Sequence, residues 1–114
     1  ILAKIEGLEA PTITAGAEPV WHLYTAKFDP ARFSCTRDVF IEALKAEGVP
    51  IAVHYPRATS DQPALAKWNK NDTPVSSSLT ERVFCLPMHH SLSDAHFETI
   101  SCALCKVANA YKKD

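Results

Sequence analysis

The sequence predicts an α+β domain: a small, mainly antiparallel three-stranded sheet with helices packed on one face. Two observations carry this. Segments rich in branched and aromatic residues alternate with segments whose apolar residues recur at three-four spacing, in the order strand, helix, strand, short helix, strand, helix. The chain has 114 residues, 46% hydrophobic and 22% charged, which is enough for one modest core and too little for two.

The opening "ILAKIEGLEAP" reads as the last turns of a helix. Ile1, Leu2 and Ile5 share a side, Gly7 is a stop and Pro11 lies just beyond. A helix seldom starts so abruptly. Residues 1–18 are therefore expected to be the end of an interdomain helix and its linker, and residues 19–114 the domain proper.

"EPVWHLYTAKFDP" has strand composition between Pro19 and Pro30. "TRDVFIEALKAEGV" reads as a helix capped by Thr36, with Asp38 suited to the first turn and Gly48 closing it. Val39, Phe40, Ala43 and Leu44 form its expected buried stripe. "VPIAVHY" is the second expected strand, ended by Pro56. Residues 57 to 73 form a long polar connection holding Trp68, of a length usual for binding segments or lids. Thr73-Pro74 opens a short helix with proline at its first position. "RVFCLPM" is the third strand. The final helix, "SDAHFETISCALCKVANAYKK", has Ser93 as its cap and Phe97, Ile100, Leu104, Val107 and Tyr111 as its core face.

Net charge is -1, and no basic stripe interleaved with aromatics is present, so nucleic acid is not an expected partner. No apolar run approaches the roughly 20 residues that cross a bilayer, and no signal-peptide pattern appears; no membrane partner is expected. Cys35, Cys85, Cys102 and Cys105 are spaced irregularly for a disulfide framework, so a reduced, cytoplasmic protein is expected. "CALC" invites a redox or zinc reading. A mid-helix pair is badly placed for an unstrained disulfide, and a zinc site normally needs a second ligand pair at a recognised spacing. His89, His90, His96 and Cys85 offer none, so no metal is expected. There is no glycine-rich phosphate loop and no nucleophile elbow.

The stretch "IAVHYP" raises the functional question. Side chains alternate along a strand. Val49, Ile51, Val53 and Tyr55 would face the helices, while Pro50, Ala52 and His54 would face away. His54 is then offered outward at the strand's C-terminal end, where ligands and other domains commonly meet a sheet. The bland alternative is a surface histidine bonded locally, with Tyr55 in the core. Trp21 and Trp68 are expected to be packing residues.

"VWHLYTAKFD", "RDVFIEALKAEGVPIAVHYP", "QPAL" and "PVSSSLTERVFCLPMHHSLSD" follow one another in an order that resembles the C-terminal small domain of the DegT/DnrJ/EryC1/StrS family. These are pyridoxal-phosphate-dependent aminotransferases of nucleotide-linked keto-sugars. The likeness runs from about Trp21 into the last helix. It implies the small domain of a fold-type-I aminotransferase, preceded by a large cofactor domain absent from this chain. It also implies a homodimeric full-length transferase that uses glutamate as amino donor and serves polysaccharide biosynthesis.

The resemblance implies pyridoxal phosphate in the full-length enzyme and none held by this chain alone. Its Schiff-base lysine, the acid at its pyridine nitrogen and its phosphate cradle have no match here. Lys4, Lys27, Lys45, Lys67 and Lys70 lie in surface-like segments. This chain's expected part is on the substrate side. His54 matches the family histidine near the sugar-nucleotide entrance, Tyr55 follows it, and Arg57 suits a phosphate. His22 matches another family histidine, for which a structural place in the sheet is the alternative. No catalytic residue is expected within the chain.

The sequence departs from the family pattern at Ser60, where a second histidine is usual, and at Asp61, where an apolar residue is usual. A carboxylate there would repel a diphosphate, and Arg57 would offset it. A rival reading is a stand-alone α+β binding module without catalysis. A small protein binding metal through His and Cys is a third.

Overall fold

A computed structural model describes residues 1–68 and 72–113. Strands β1 (Leu8–Glu9), β2 (Tyr24–Phe28) and β3 (Val83–Leu86) form one sheet in the order β1-β2-β3, antiparallel throughout. Helices α1 (Arg37–Ala46) and α3 (Asp94–Tyr111) cover one face, and the short α2 (Pro74–Thr80) precedes β3.

Alternation along β2 decides which face is covered. Ala26 and Phe28 are buried and Lys27 is exposed. The register sets Ala26 opposite Phe84 and Thr25 opposite Cys85, so Ala26 and Phe84 face the helices together. There the rings of Phe28 and Phe33 stack at 4.8 Å, and Phe40 lies 5.3 Å from Phe28 and 6.2 Å from Phe84. Leu44 from α1 and Leu104 and Val107 from α3 complete this core. Each aromatic pair adds about 0.5–1.5 kcal/mol beyond the area it buries.

The helix ends follow from their residues. The Val39 amide donates to the Thr36 hydroxyl at 3.3 Å. At the other end of α1, Gly48 adopts φ +86, its amide donates to Lys45, and the Val49 amide donates to Leu44. This is a Schellman closure, which requires the left-handed backbone that glycine adopts freely. Ser93 caps α3, and His96 completes a capping box by accepting from the Ser93 amide at 3.0 Å.

Four expectations need correction. The opening segment is a single 3-10 turn, Leu2–Lys4, and not the end of an α-helix. Leu2 and Leu8 from this segment enter the core, and Leu8–Glu9 supplies the third strand by pairing with Phe28 and Lys27. Among the described residues, the expected strand "VPIAVHY" contributes only a single antiparallel bridge, from Ala52 to Cys85. Pro50 and Pro56 bracket it, and a proline offers no amide to a ladder.

The other two corrections concern helix faces. In α1 the buried residues are Phe40, Ile41 and Leu44, while Val39 is exposed, so the buried arc is turned one position from the expected stripe. In α3, Phe97 is 53% exposed and burial begins further along, at Ala103, Leu104, Val107 and Ala108. The first turns of α3 lie at the Tyr24–Leu86 end of the sheet, where Phe97 lines an apolar groove with Trp21, Tyr24, Leu86, Met88 and Ile1.

Candidate functional site

The site is built on the segment that leaves Gly48. The Cys85 amide donates to the Ala52 carbonyl at 2.7 Å, and the Ala52 amide returns a bond at 3.4 Å. This bridge fixes the orientation of the neighbouring side chains. Val49 and Ile51 are buried and Val53 is half-buried, whereas Pro50, Ala52 and His54 are exposed. His54 therefore points away from the helical layer, as the alternation predicts.

Alternation fails at the next residue. Tyr55 was expected on the core side and is instead 64% exposed. A buried phenol requires a partner for its hydroxyl, and exposure leaves that to solvent. Ala58 is the next side chain to turn inward. The His54 and Tyr55 rings meet edge to face at 5.6 Å, joined by a cis peptide bond.

Beyond them an open cleft of about 620 Å³ lies between residues 55–62 and α2. Tyr55 and Arg57 stand on one wall, with Thr59 and Gln62 beside them; Thr73 and Ser76 stand opposite. Ala58, Leu79 and Val83 add apolar lining. The cleft thus offers one aromatic face, one guanidinium and several groups that both donate and accept hydrogen bonds.

Asp61 is positioned unlike the sequence reading of it. Its carboxylate accepts from Ser77 Oγ at 2.7 Å and from Ser60 Oγ at 3.2 Å, and the Ser60 hydroxyl also bonds that of Thr73. The carboxylate clasps the 57–62 loop to α2 and is absent from the cleft wall. The hydroxyl-rich run "TPVSSSLT" is the signal for this clasp, and composition alone does not say which hydroxyls converge.

The structure brings His54 and Tyr55 together and sets Tyr55 and Arg57 on one cleft. It does not bring His22 to them. His22 is exposed in the bend before β2, which also rules out the expected place within the sheet. Trp21 packs on Tyr24 with centroids 5.2 Å apart, as a packing residue should. Trp68 does not: it is 62% exposed, with the Lys67 ammonium 4.0 Å over its ring.

The cysteines are all unpaired. Cys85 Sγ lies 3.4 Å from Thr25 Oγ1, beneath the bridge to Ala52. Burial pushes the Cys35 thiol above its ordinary pKa, partly opposed by a backbone hydrogen bond, so it is a poor nucleophile. Cys102 is exposed and Cys105 half-buried, both off the core face of α3. Among the described residues no three His, Cys, Asp or Glu side chains gather as a metal site. No helix among them is long and apolar enough to cross a membrane.

The fit to a pyridoxal phosphate site is poor. Such a site needs a lysine, an acid and phosphate donors converging in one pocket. Every lysine among the described residues is exposed, and Lys70 lies outside them. Lys27 pairs with Glu9, Lys45 with Glu42 and Lys106 with Glu47, all at the surface.

Comparison with known proteins agrees with this architecture. The chain is 37% identical over 101 residues to the UDP-2-acetamido-2-deoxy-3-oxo-D-glucuronate aminotransferase of Pseudomonas aeruginosa, covering 89% of this chain and 26% of that protein. A DegT DnrJ EryC1 StrS aminotransferase from Brucella abortus superposes with a TM-score of 0.75 at 28% identity, over 88% of this chain and 26% of that one. The sugar aminotransferase CalS13 from Micromonospora echinospora shares the fold, with a TM-score of 0.75 at 20% identity over 90% of this chain and 26% of its own. The chain therefore spans about a quarter of the length of the proteins it matches. The model of the DegT/DnrJ/EryC1/StrS aminotransferase family matches residues 1–105, and this chain belongs to that family.

Proposed function

We propose that this chain is the C-terminal small domain of a pyridoxal-phosphate-dependent aminotransferase acting on nucleotide-linked keto-sugars. It supplies substrate-side residues and does not catalyse by itself. The observation that carries this reading is the outward-facing His54–Tyr55–Arg57 segment on a chain whose described lysines all lie at the surface. The cofactor belongs to the large domain, and no chemical step is assigned to residues of this chain.

Each residue has a physical task. The exposed His54 imidazole donates to or accepts from a sugar hydroxyl or a diphosphate oxygen. Tyr55 offers an aromatic face with a polar tip. Arg57 offers a planar, permanently charged fork. The apolar groove of about 310 Å³ around Phe97 and Met88 supports the view that further protein covers this end of the domain. The matched relative's substrate, by its name, is a UDP-linked keto-sugar acid, which supports the substrate class. Four unpaired cysteines support a reducing, cytoplasmic setting. A homodimer belongs to the same reading through the family likeness.

The test is an amino-transfer assay with glutamate and a UDP-linked 3-oxo sugar. A full-length protein carrying this chain is expected to aminate the sugar, and the 114-residue chain alone is expected to give no product. Failure of the full-length protein, or turnover by the chain alone, overturns the proposal.

A further inference from the structure

We infer that the cleft between residues 55–62 and α2 takes the part of the ligand that bears a carboxylate, a uronic-acid sugar, and that Arg57 reads that group. This rests on the sugar-nucleotide reading above and adds to it a site and a discriminating residue.

Three observations converge. The cleft, at about 620 Å³, falls within the usual range of small-molecule sites. Among the described residues its lining holds a single cation, Arg57, and no acid. Arg57 has no ion pair or side-chain hydrogen bond among the described residues, so its five donors remain available. Asp61, the nearest acid in sequence, is held by Ser60 and Ser77 and does not compete for it.

The other grooves lack this combination. The cleft beside α1 also contains arginines, but Asp38 and Glu81 share its wall. Arg37 there is already committed to Asp38 and to the carbonyls of Thr80 and Val83. Among the described residues, the groove at Phe97 has no charged side chain.

The remaining groups fit a sugar. Thr59, Gln62, Thr73 and Ser76 donate and accept as pyranose hydroxyls require. The Tyr55 ring and the Leu79 side chain offer apolar surface to the ring's C–H face. A guanidinium grips a carboxylate with two parallel hydrogen bonds. A diphosphate presents similar oxygens, so the two anions must be separated by experiment.

The experiment is an amide NMR titration of the isotopically labelled chain with glucuronate, with glucose and with UDP, repeated on R57Q and R57K. Glucuronate is expected to shift Arg57, Thr59, Gln62 and Ser76, with glucose at least about tenfold weaker. R57Q should erase that preference while its other amide signals stay in place, and R57K should retain part of it. Equal binding of glucose and glucuronate, shifts confined to other residues, or no shifts with any ligand overturn the inference. So does UDP occupying the same residues, which would assign Arg57 to the diphosphate and leave the sugar-nucleotide reading intact. That reading fails separately, in the amino-transfer assay.

Discussion

The Asp61 carboxylate accepts a hydrogen bond from Ser77 Oγ at 2.7 Å, joining the loop after the His54 segment to α2. One acid thereby fixes a wall of the cleft. Asp61→Asn, or Ser77→Ala, removes a charge-assisted bond at an exposed site and should cost about 1 kcal/mol or less in global stability. Its larger effect should be local. Amide hydrogen exchange at residues 58–62 should speed up while the Phe28–Phe40 core stays protected. Unchanged exchange in the loop would show that the clasp does not hold it.

Gly7 adopts φ +92, and a Cβ there would lie 2.6 Å from the Phe33 ring and 2.7 Å from Arg32 Cβ. The turn it makes lets the Asp29 amide donate to the Gly7 carbonyl beside the β1–β2 pair. Gly7→Ala should therefore destabilise the domain by about 1–3 kcal/mol. Thermal unfolding should show a drop of several degrees; an unchanged midpoint would mean that the turn adapts.

Cysteine reactivity should be ordered by exposure and desolvation. Cys102 is exposed, whereas burial raises the Cys35 pKa and keeps its thiolate fraction low at neutral pH. The Cys35 thiolate should gain only as pH rises past its raised value. Alkylation at pH 8 followed by mass spectrometry should label Cys102 first, Cys35 more slowly and the buried Cys85 last. Equal rates at Cys35 and Cys102 would contradict the packing around Cys35.

Phe97 separates folding from assembly. It is only half covered in the groove beside Met88, so Phe97→Ser should cost this chain about 1 kcal/mol in stability. In a full-length enzyme the same change should lower thermal stability clearly more. Equal small effects in both would mean that no further protein covers this groove.

The parts of the fold that were legible in the sequence are those with local physical causes. Thr36, Gly48 and Ser93 delimit their helices because caps are short-range hydrogen-bond devices. Pro74 begins α2 for the same kind of reason. What was not legible depended on distant partners. Leu8–Glu9 is too short for periodicity to mark, and it is a strand only because Phe28 and Lys27 pair with it. The "VPIAVHY" segment has strand composition, yet its prolines leave room for a single bridge.

The candidate site divides the same way. Two-residue alternation from Val49 onward gave the outward direction of His54, and it broke where the segment turns at Tyr55. The opposite wall comes from residues 73 to 80, and no local pattern links them to Arg57. Asp61 looked like a repulsive charge because its two serine partners come together only in the folded chain.

The substrate-side role of His54 is tested by the two half-reactions of a full-length enzyme carrying this chain, measured for wild type and for His54→Ala. The rate with glutamate should be unchanged, while kcat/KM for the nucleotide-linked keto-sugar should fall about tenfold or more, the loss expected from one hydrogen bond to a charged or polar substrate group. Equal losses in both half-reactions, or no loss in either, would contradict the assignment of His54 to the substrate side.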